Sequence, residues 1–363
     1  MTSDIPGMES KVATRRQIPV GVQLRRRHER NSAQPFRFYA QLFSLAINLW
    51  IGAQFYLWYS SLQSGVGGPI VSRPPGVEGW LPIGSLVGSR YFFATGILNT
   101  IHPAGLVILV VILLTAFVFK KGFCSWVCPI GFISEMLGDL SDKLFRKRIK
   151  PPRWLDYPLR SLKYLLLLFF VYAVFISMTS DSIKAFLYSD YNVVSDILML
   201  RFFTDISMFA LSVIAVLFAS SLIVRGFWCR YLCPYGALLG LANLISPTRI
   251  RRNASSCIDC AACAKVCPAF IKVDRVTEVV SDECVGCMAC VDSCPVKQTL
   301  EIHMVRKNRT VSSVKWAVVL VIFFWGALLA AKLFGPWGNS ITTEQYREYI
   351  PGVEKGQYTH PSY

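Results

Sequence analysis

Apolar residues gather along this chain in long runs rather than at strand spacing. Five runs come close to the roughly 20 residues that a helix needs to cross a bilayer, at 38–59, 101–119, 162–178, 206–224 and 316–333. A softer stretch, 80–98, is interrupted by Pro82, glycines and Arg90. It is expected to be an interfacial or re-entrant segment rather than a sixth span. The pattern predicts an all-α polytopic membrane protein of about five transmembrane helices. Residues 1–37 read as a basic cytoplasmic tail, 38–249 as a membrane domain with four spans, 305–334 as the fifth span and 335–363 as an external tail. The polar interval 250–304 is long enough for an inserted domain.

Charge orients these spans. The chain is 53% hydrophobic and 17% charged, with 38 Lys/Arg against 22 Asp/Glu and a net charge of +16. Soluble domains carry about 25% charged residues, so the scarcity of charge disfavours a soluble, basic nucleic-acid binder. Segments 1–37, 120–163 and 225–315 together hold 31 basic and 14 acidic residues; 60–100, 179–205 and 333–363 hold 6 and 8. Basic loops stay on the cytoplasmic side of a membrane. The N-terminus and the 250–304 domain are therefore expected in the cytoplasm and the C-terminus outside, as in a bacterial inner membrane protein. The first 37 residues show no cleavable signal peptide.

The twelve cysteines narrow the chemistry. Cys257, Cys260, Cys263 and Cys267-Pro268 form a C-x2-C-x2-C-x3-C-P run, and Cys284, Cys287, Cys290 and Cys294-Pro295 form another. In bacterial two-cluster ferredoxins the first three thiolates of a run hold one cubane and the fourth reaches the other. One [4Fe–4S] cluster is thus expected on Cys257, Cys260, Cys263 and Cys294, and a second on Cys284, Cys287, Cys290 and Cys267. The interval becomes a bacterial-type 2[4Fe–4S] ferredoxin domain of α+β class. A zinc module would leave the third and fourth cysteines of each run unexplained, and a cytoplasmic location disfavours disulfides.

A second pattern is an internal repeat. Lys121-Gly122-Phe123-Cys124 leads to Cys128-Pro129-Ile130-Gly131, and Arg225-Gly226-Phe227-Trp228-Cys229 leads to Cys233-Pro234-Tyr235-Gly236. If helical, each C-x3-C pair places two sulfurs on one face, at a cytoplasmic span end and before an amphipathic stretch. Cys124, Cys128, Cys229 and Cys233 could together hold a third Fe–S cluster, copper(I) or zinc, act as a dithiol switch, or be buried small hydrophobes.

Glu78 and His102 lie on the outer side and are candidates for a quinone or proton site, since quinol oxidation needs a proton acceptor. The plainer reading of His102 is a helix anchor before Pro103. Gln41, Asn48 and Gln54 suit interhelical hydrogen bonds, and the basic groups 146–150 and 249–252 suit anionic lipid. His28, His303 and His360 belong to no motif.

Taken together, Cys124–Pro129, Cys229–Ala237, the ferredoxin runs and segments such as Glu78-Gly79-Trp80-Leu81-Pro82 and Pro152-Arg153-Trp154-Leu155-Asp156 resemble the membrane polyferredoxins of the NapH/NosR/CcoG group. The resemblance implies electron transfer between the quinone pool and a redox partner protein, often for a periplasmic reductase or its maturation. The CcoG branch implies copper reduction instead, and the chain lacks the outer flavin-binding domain of NosR. The expected function is an electron-transfer component rather than a stand-alone enzyme, with a metal reductase, redox sensor or assembly factor as alternatives.

Overall fold

The computed structural model describes residues 24, 32–64, 71–146, 148–304 and 309–360. Most of the expected basic tail, Lys147 of the 146–150 cluster and the last three residues lie outside these.

A run of apolar residues withdrawn from water must satisfy its N–H and C=O groups within itself, which leaves the helix. All five predicted runs are helical. Helix α1 (Gln34–Gln63) is followed by a 3-10 turn (Pro75–Trp80), α2 (Pro82–Thr95) and α3 (Pro103–Val118). Next come α4 (Gly122–Trp126), α5 (Pro129–Phe145) and α6 (Arg153–Val171), which a π turn extends through Ser177. Short helices α7 (Ser180–Leu187), α8 (Asp190–Val193) and α9 (Ser195–Thr204) lead into α10 (Met208–Ile223). A second π turn (Trp228–Leu232) enters α11 (Pro234–Leu244).

The inserted domain holds α12 (Ala262–Val266) and α13 (Ala289–Ser293) beside an antiparallel sheet, β1 (Thr248–Arg252), β2 (Leu300–Met304) and β3 (Arg309–Val311). Strand order is β1-β2-β3, with Ile250 opposite Ile302. Helices α14 (Ser313–Phe334) and α15 (Thr343–Glu354) finish the chain.

By length and composition two helices can cross a membrane, Trp154–Ser177 and α14; α9 and α10, bent by 77°, make a third if they count as one span. Helix α3 has 16 residues, ~24 Å at ~1.5 Å per residue, short of the ~30 Å hydrocarbon core. Helix α1 is long enough at 30 residues but carries Arg37, Gln41, Asn48 and Gln54. Five helices therefore answer to the five runs, while five complete spans do not follow from their lengths. The softer stretch is helix α2, packed on α3 and α7.

Apolar side chains lie bare on these helices, with Met208 80% and Phe209 79% exposed. Helix α5 bares Ile130, Ile133, Met136, Leu140 and Leu144, the stripe expected of a helix lying in an interface. Its repeat partner α11 differs: Ala237, Leu239 and Gly240 are buried against α6 and α3, so it is a packed helix.

Among the described residues there are two large apolar cores, besides a smaller cluster of Val87, Tyr91, Ile183 and Leu187. One joins Trp126, Trp316, Leu320 and Leu239 to Met288, Cys290 and Val291 of the inserted domain. The other, at the opposite end, joins Phe55, Trp58, Val77 and Ile197 to Tyr346, Ile350 and Val353. The expected external tail is thus partly an ordered helix, α15, started by a capping box at Thr342 and Gln345.

The inserted domain is tied to the first and last long helices through Asp292. Its carboxylate accepts hydrogen bonds from Ala33 N (3.0 Å), Gln34 Nε2 (2.8 Å) and Ser313 Oγ (2.6 Å) at the two helix starts. The basic group 249–252 is a correction to the expected lipid contact. It forms β1, and Arg249 and Arg251 pair with Glu278 at 3.3 and 2.9 Å.

Candidate metal centres

In the ferredoxin runs the backbone itself prepares a site. Asp259 and Ala261 of the first run have φ of 51° and 55°, and the matching Gly286 and Met288 of the second have 61° and 61°. Positive φ is uncommon for residues other than glycine. Its recurrence at matching positions curls each loop so that successive N–H groups face inward, a concavity suited to an anionic group. Cys257, Cys260, Cys263 and Cys294 line one small cavity of about 20 Å³. In the second run Cys290 is within electrostatic reach of Cys287, Cys284 and Cys267, and of Cys263 of the first run. The topology thus brings together both predicted sets, including the crossed fourth cysteines.

Burial pushes the Cys263 thiol up to about 11 and the Cys287 thiol up to about 12. Metal binding at such thiols must release protons. The first set is the more open, with Cys260 exposed and only Cys294 buried, whereas Cys267, Cys284, Cys287 and Cys290 of the second are all buried.

The second set faces the membrane-end cysteines. Ser125 Oγ donates to the Val285 carbonyl at 2.6 Å and Trp126 Nε1 to the Gly286 carbonyl at 3.0 Å. Gly286 is needed on two counts: its φ is positive, and a Cβ there would stand 3.2 Å from the Trp316 ring.

Neither C-x3-C pair lies on one regular helix, which corrects the expected i, i+4 face. Cys124 is in α4 and Cys229 in the π turn, while Cys128 and Cys233 are the N-caps of α5 and α11. Both copies close the same wide turn, Cys128 N to Phe123 O and Cys233 N to Trp228 O, each 2.9 Å. Proline, which lacks an N–H, then opens the helix, and the Cys233 sulfur accepts from Gly236 N at 3.3 Å.

The glycine of each Pro-x-Gly lets that helix start approach the first cysteine. A Cβ on Gly131 would overlap the Cys124 carbonyl, and one on Gly236 would sit 3.2 Å from the Cys229 carbonyl. Gly131→Ala is therefore expected to destabilise by about 1–3 kcal/mol, the range for overpacking, and Gly236→Ala by less. Thermal unfolding of the two variants in detergent checks the order; equal midpoints would contradict it.

The two copies converge. Cys124, Cys128, Cys229 and Cys233 line a single cavity of about 1270 Å³ with helices α1, α3, α6, α11 and α14. Burial pushes the Cys128 thiol up to about 11 and the Cys229 thiol up to about 12. N–H groups of Gly131 and Ile130 oppose this at Cys128, and those of Gly236 and Tyr235 at Cys233. Two helix N-termini thus favour negative charge at one place. The cavity continues from these sulfurs, past Pro268 and Val285 of the ferredoxin domain, to Gly79, Trp80 and Trp337 at the other end. Among the described residues no three His, Cys, Asp or Glu form a set for a single metal ion.

Glu78 and His102 also come together, in company that sequence reasoning missed. Arg73 lies 3.0 Å from Glu78 and 2.7 Å from Asp196, and both carboxylates are fully buried. His102 Nδ1 is 3.6 Å from Glu78, and its Nε2 lies 2.7 Å from the Asn192 carbonyl. Gly105 N, in the first turn of α3, donates to Glu78 at 3.1 Å. Gln41 makes the expected interhelical bond, to the Ser125 carbonyl of α4, and Asn48 accepts from Trp80 of the 3-10 turn, whereas Gln54 donates to the Ser72 carbonyl, which lies in no helix.

A family model described as a 4Fe-4S binding domain matches residues 101–152 and again 205–253, each stretch holding one C-x3-C-P pair. A second, described as a 4Fe-4S dicluster domain, matches 248–302. The chain is 42% identical to YccM of Escherichia coli (strain K12), named for electron transport, over 88% of this chain and 91% of that one. It is 30% identical to the ferredoxin-type protein NapH of the same organism, over 47% of this chain and 54% of NapH. Identity is also 30% to the protein NirI of Paracoccus denitrificans, over 40% of this chain and 21% of NirI. No solved structure matches.

Proposed function

The chain belongs to the NapH/NosR-type family of ferredoxin electron-transport proteins, and from this we propose that it relays electrons between membrane quinone and a redox partner protein. The carrying observation is the cavity that touches all four membrane-end cysteines, the ferredoxin loop at Val285 and the apolar helices together. We assign [4Fe–4S] clusters to Cys257, Cys260, Cys263 and Cys294, and to Cys284, Cys287, Cys290 and Cys267. A third iron–sulfur centre is assigned to Cys124, Cys128, Cys229 and Cys233. Bound there, such groups would supply one-electron carriers.

The residues arrange the rest. Exposed Cys260 marks the end open to a soluble partner, and the second ferredoxin set adjoins the membrane-end site through Ser125 and Trp126. Apolar walls such as Ile108, Leu109 and Leu328 exclude water and suit a quinone ring with part of its tail, since ligand pockets commonly measure about 300–1,000 Å³. A quinol oxidised there gives up two electrons and two protons, and Glu78 with His102 is the proton acceptor at the outer end. In this reading α1, α3, α6, α10 and α14 are five spans of a bacterial inner membrane protein. The N-terminus and ferredoxin domain are cytoplasmic and the C-terminus periplasmic.

Full-length protein purified anaerobically in detergent is expected to hold about twelve iron atoms per chain, for three four-iron centres. Added menaquinol or ubiquinol is expected to produce the EPR signals of reduced clusters. Iron near eight would remove the third centre, and a chain inert to both quinols would remove quinone as the partner.

A further inference from the structure

Among the described residues, the charged side chains that line the large cavity are ion-paired except Lys332 and, near the cysteines, one other. Arg37 meets Glu135 at 2.6 Å, Arg225 meets Asp139 at 2.7 Å, and Arg230 meets Asp156 at 2.8 Å. Glu283 is held by Lys163 and Arg160. Lys121 lines the same cavity, is only 3% exposed, and pairs with no carboxylate among the described residues. Its Nζ lies 3.6 Å from where a Cβ on Gly236 would be, against the first turn of the helix that Cys233 caps.

Withdrawing an ammonium from water costs several kcal/mol unless a counter-charge meets it. Lys121 shares its surroundings with four cysteine sulfurs and the N-termini of α5 and α11, which also favour an anion. Four neutral thiols, or two disulfides, would leave this positive potential only Asp282, which is within electrostatic reach of Lys121 but is engaged by Arg160 and Tyr164. A tetrathiolate iron–sulfur centre carries net negative charge and would complete it.

Resting on the third centre proposed above, we infer that Lys121 is the counter-cation of the group held by Cys124, Cys128, Cys229 and Cys233 and raises its reduction potential. One-electron reduction adds one negative charge to the centre with no bond formed or broken, and a fixed ammonium stabilises the reduced form more than the oxidised one. The repeat makes the assignment specific. Arg225 is the basic residue that opens the second copy, and it is turned away to Asp139 and Asp142. Both basic residues line the cavity, and only that of the first copy is left without a carboxylate among the described residues.

The test is an EPR-monitored redox titration of the full-length protein with Lys121→Met and Lys121→Arg, alongside iron counts. Lys121→Met is expected to lower one midpoint by about 59 mV or more, a tenfold change in a one-electron equilibrium, and to leave the two ferredoxin midpoints in place. Lys121→Arg, which keeps the charge, is expected to restore most of the shift. If Lys121→Met instead loses about four iron atoms while the ferredoxin signals persist and Lys121→Arg keeps them, the counter-cation role is likewise supported. Full iron with all midpoints unmoved in Lys121→Met would overturn it, as would equal loss in both variants. A change confined to the quinol KM would overturn it too, assigning the lysine to the quinone. Wild-type protein with only about eight iron atoms would defeat the third centre itself, a separate result.

Discussion

Replacing Cys124 and Cys229 together with serine is expected to lower iron from about twelve to about eight atoms per chain, the content of two cubanes. The ferredoxin EPR signals should persist, because their eight cysteines belong to a different loop and sheet. Reduction by quinol should be lost, since the membrane-end site is the part of the cysteine array that lines the apolar cavity. The two substitutions sit in different copies of the repeat, and the convergence of the copies makes them act on one site. Single serine variants are therefore expected to resemble the double one rather than to halve its effect. Unchanged iron in the double variant would sink the assignment of these cysteines to a metal centre, and retained quinol reduction would sink their place in the relay.

The second large effect lies at the other end. Asp196→Ala is expected to destabilise the protein by about 3–5 kcal/mol, the range for breaking a buried ion pair from one side. Arg73 would keep Glu78 alone, and Ile197 N would lose its 2.8 Å bond to the Asp196 carboxylate. The core of Trp58, Ile197 and Tyr346 packs around this group, so loosening should show as early release of α15. Thermal unfolding with proteolysis at the C-terminus measures both. His102→Gln, which removes a base without opening an ion pair, is expected to stay within about 1 kcal/mol, the scale of one net hydrogen bond, and to slow quinol-driven reduction. A variant Asp196→Ala as stable as wild type would show that the buried group carries no load. A His102→Gln protein with unaltered quinol reduction would leave His102 the plain helix anchor before Pro103.

The two ferredoxin cysteine runs were legible because their pattern is a matter of covalent spacing. Cysteines two residues apart must turn back on themselves to share a cluster, and the repeated positive φ at Asp259, Ala261, Gly286 and Met288 is the backbone's form of that spacing. The helices were equally legible, since a long apolar run has no other way to satisfy its backbone. Their span count was not, because α3 is shorter than its run and α9 and α10 break at 77°. Ser207 caps α10 just inside the 206–224 run, and that helix, with 16 residues, is also short of a full span.

The repeat of C-x3-C-P was visible as a pattern, and its shared basic-Gly-Phe opening was the signal for Lys121. Which of Lys121 and Arg225 faces the sulfurs was not visible, because it depends on acids from α5 reaching one and not the other. Arg73 and Asp196 stand 123 residues apart and carry no motif. Their pairing exists only because α9 packs on the 3-10 turn that follows Arg73, and that turn packs on α3.

By itself, then, the sequence determined that this protein is a ferredoxin fused to apolar helices, with twelve cysteines at fixed spacings. Tertiary structure decided that the two distant pairs meet in one cavity, which cation is left to face them, and that the C-terminal segment is a helix in a second core. Spacing is set by bonds along the chain, whereas convergence is set by packing between segments, which no local pattern encodes.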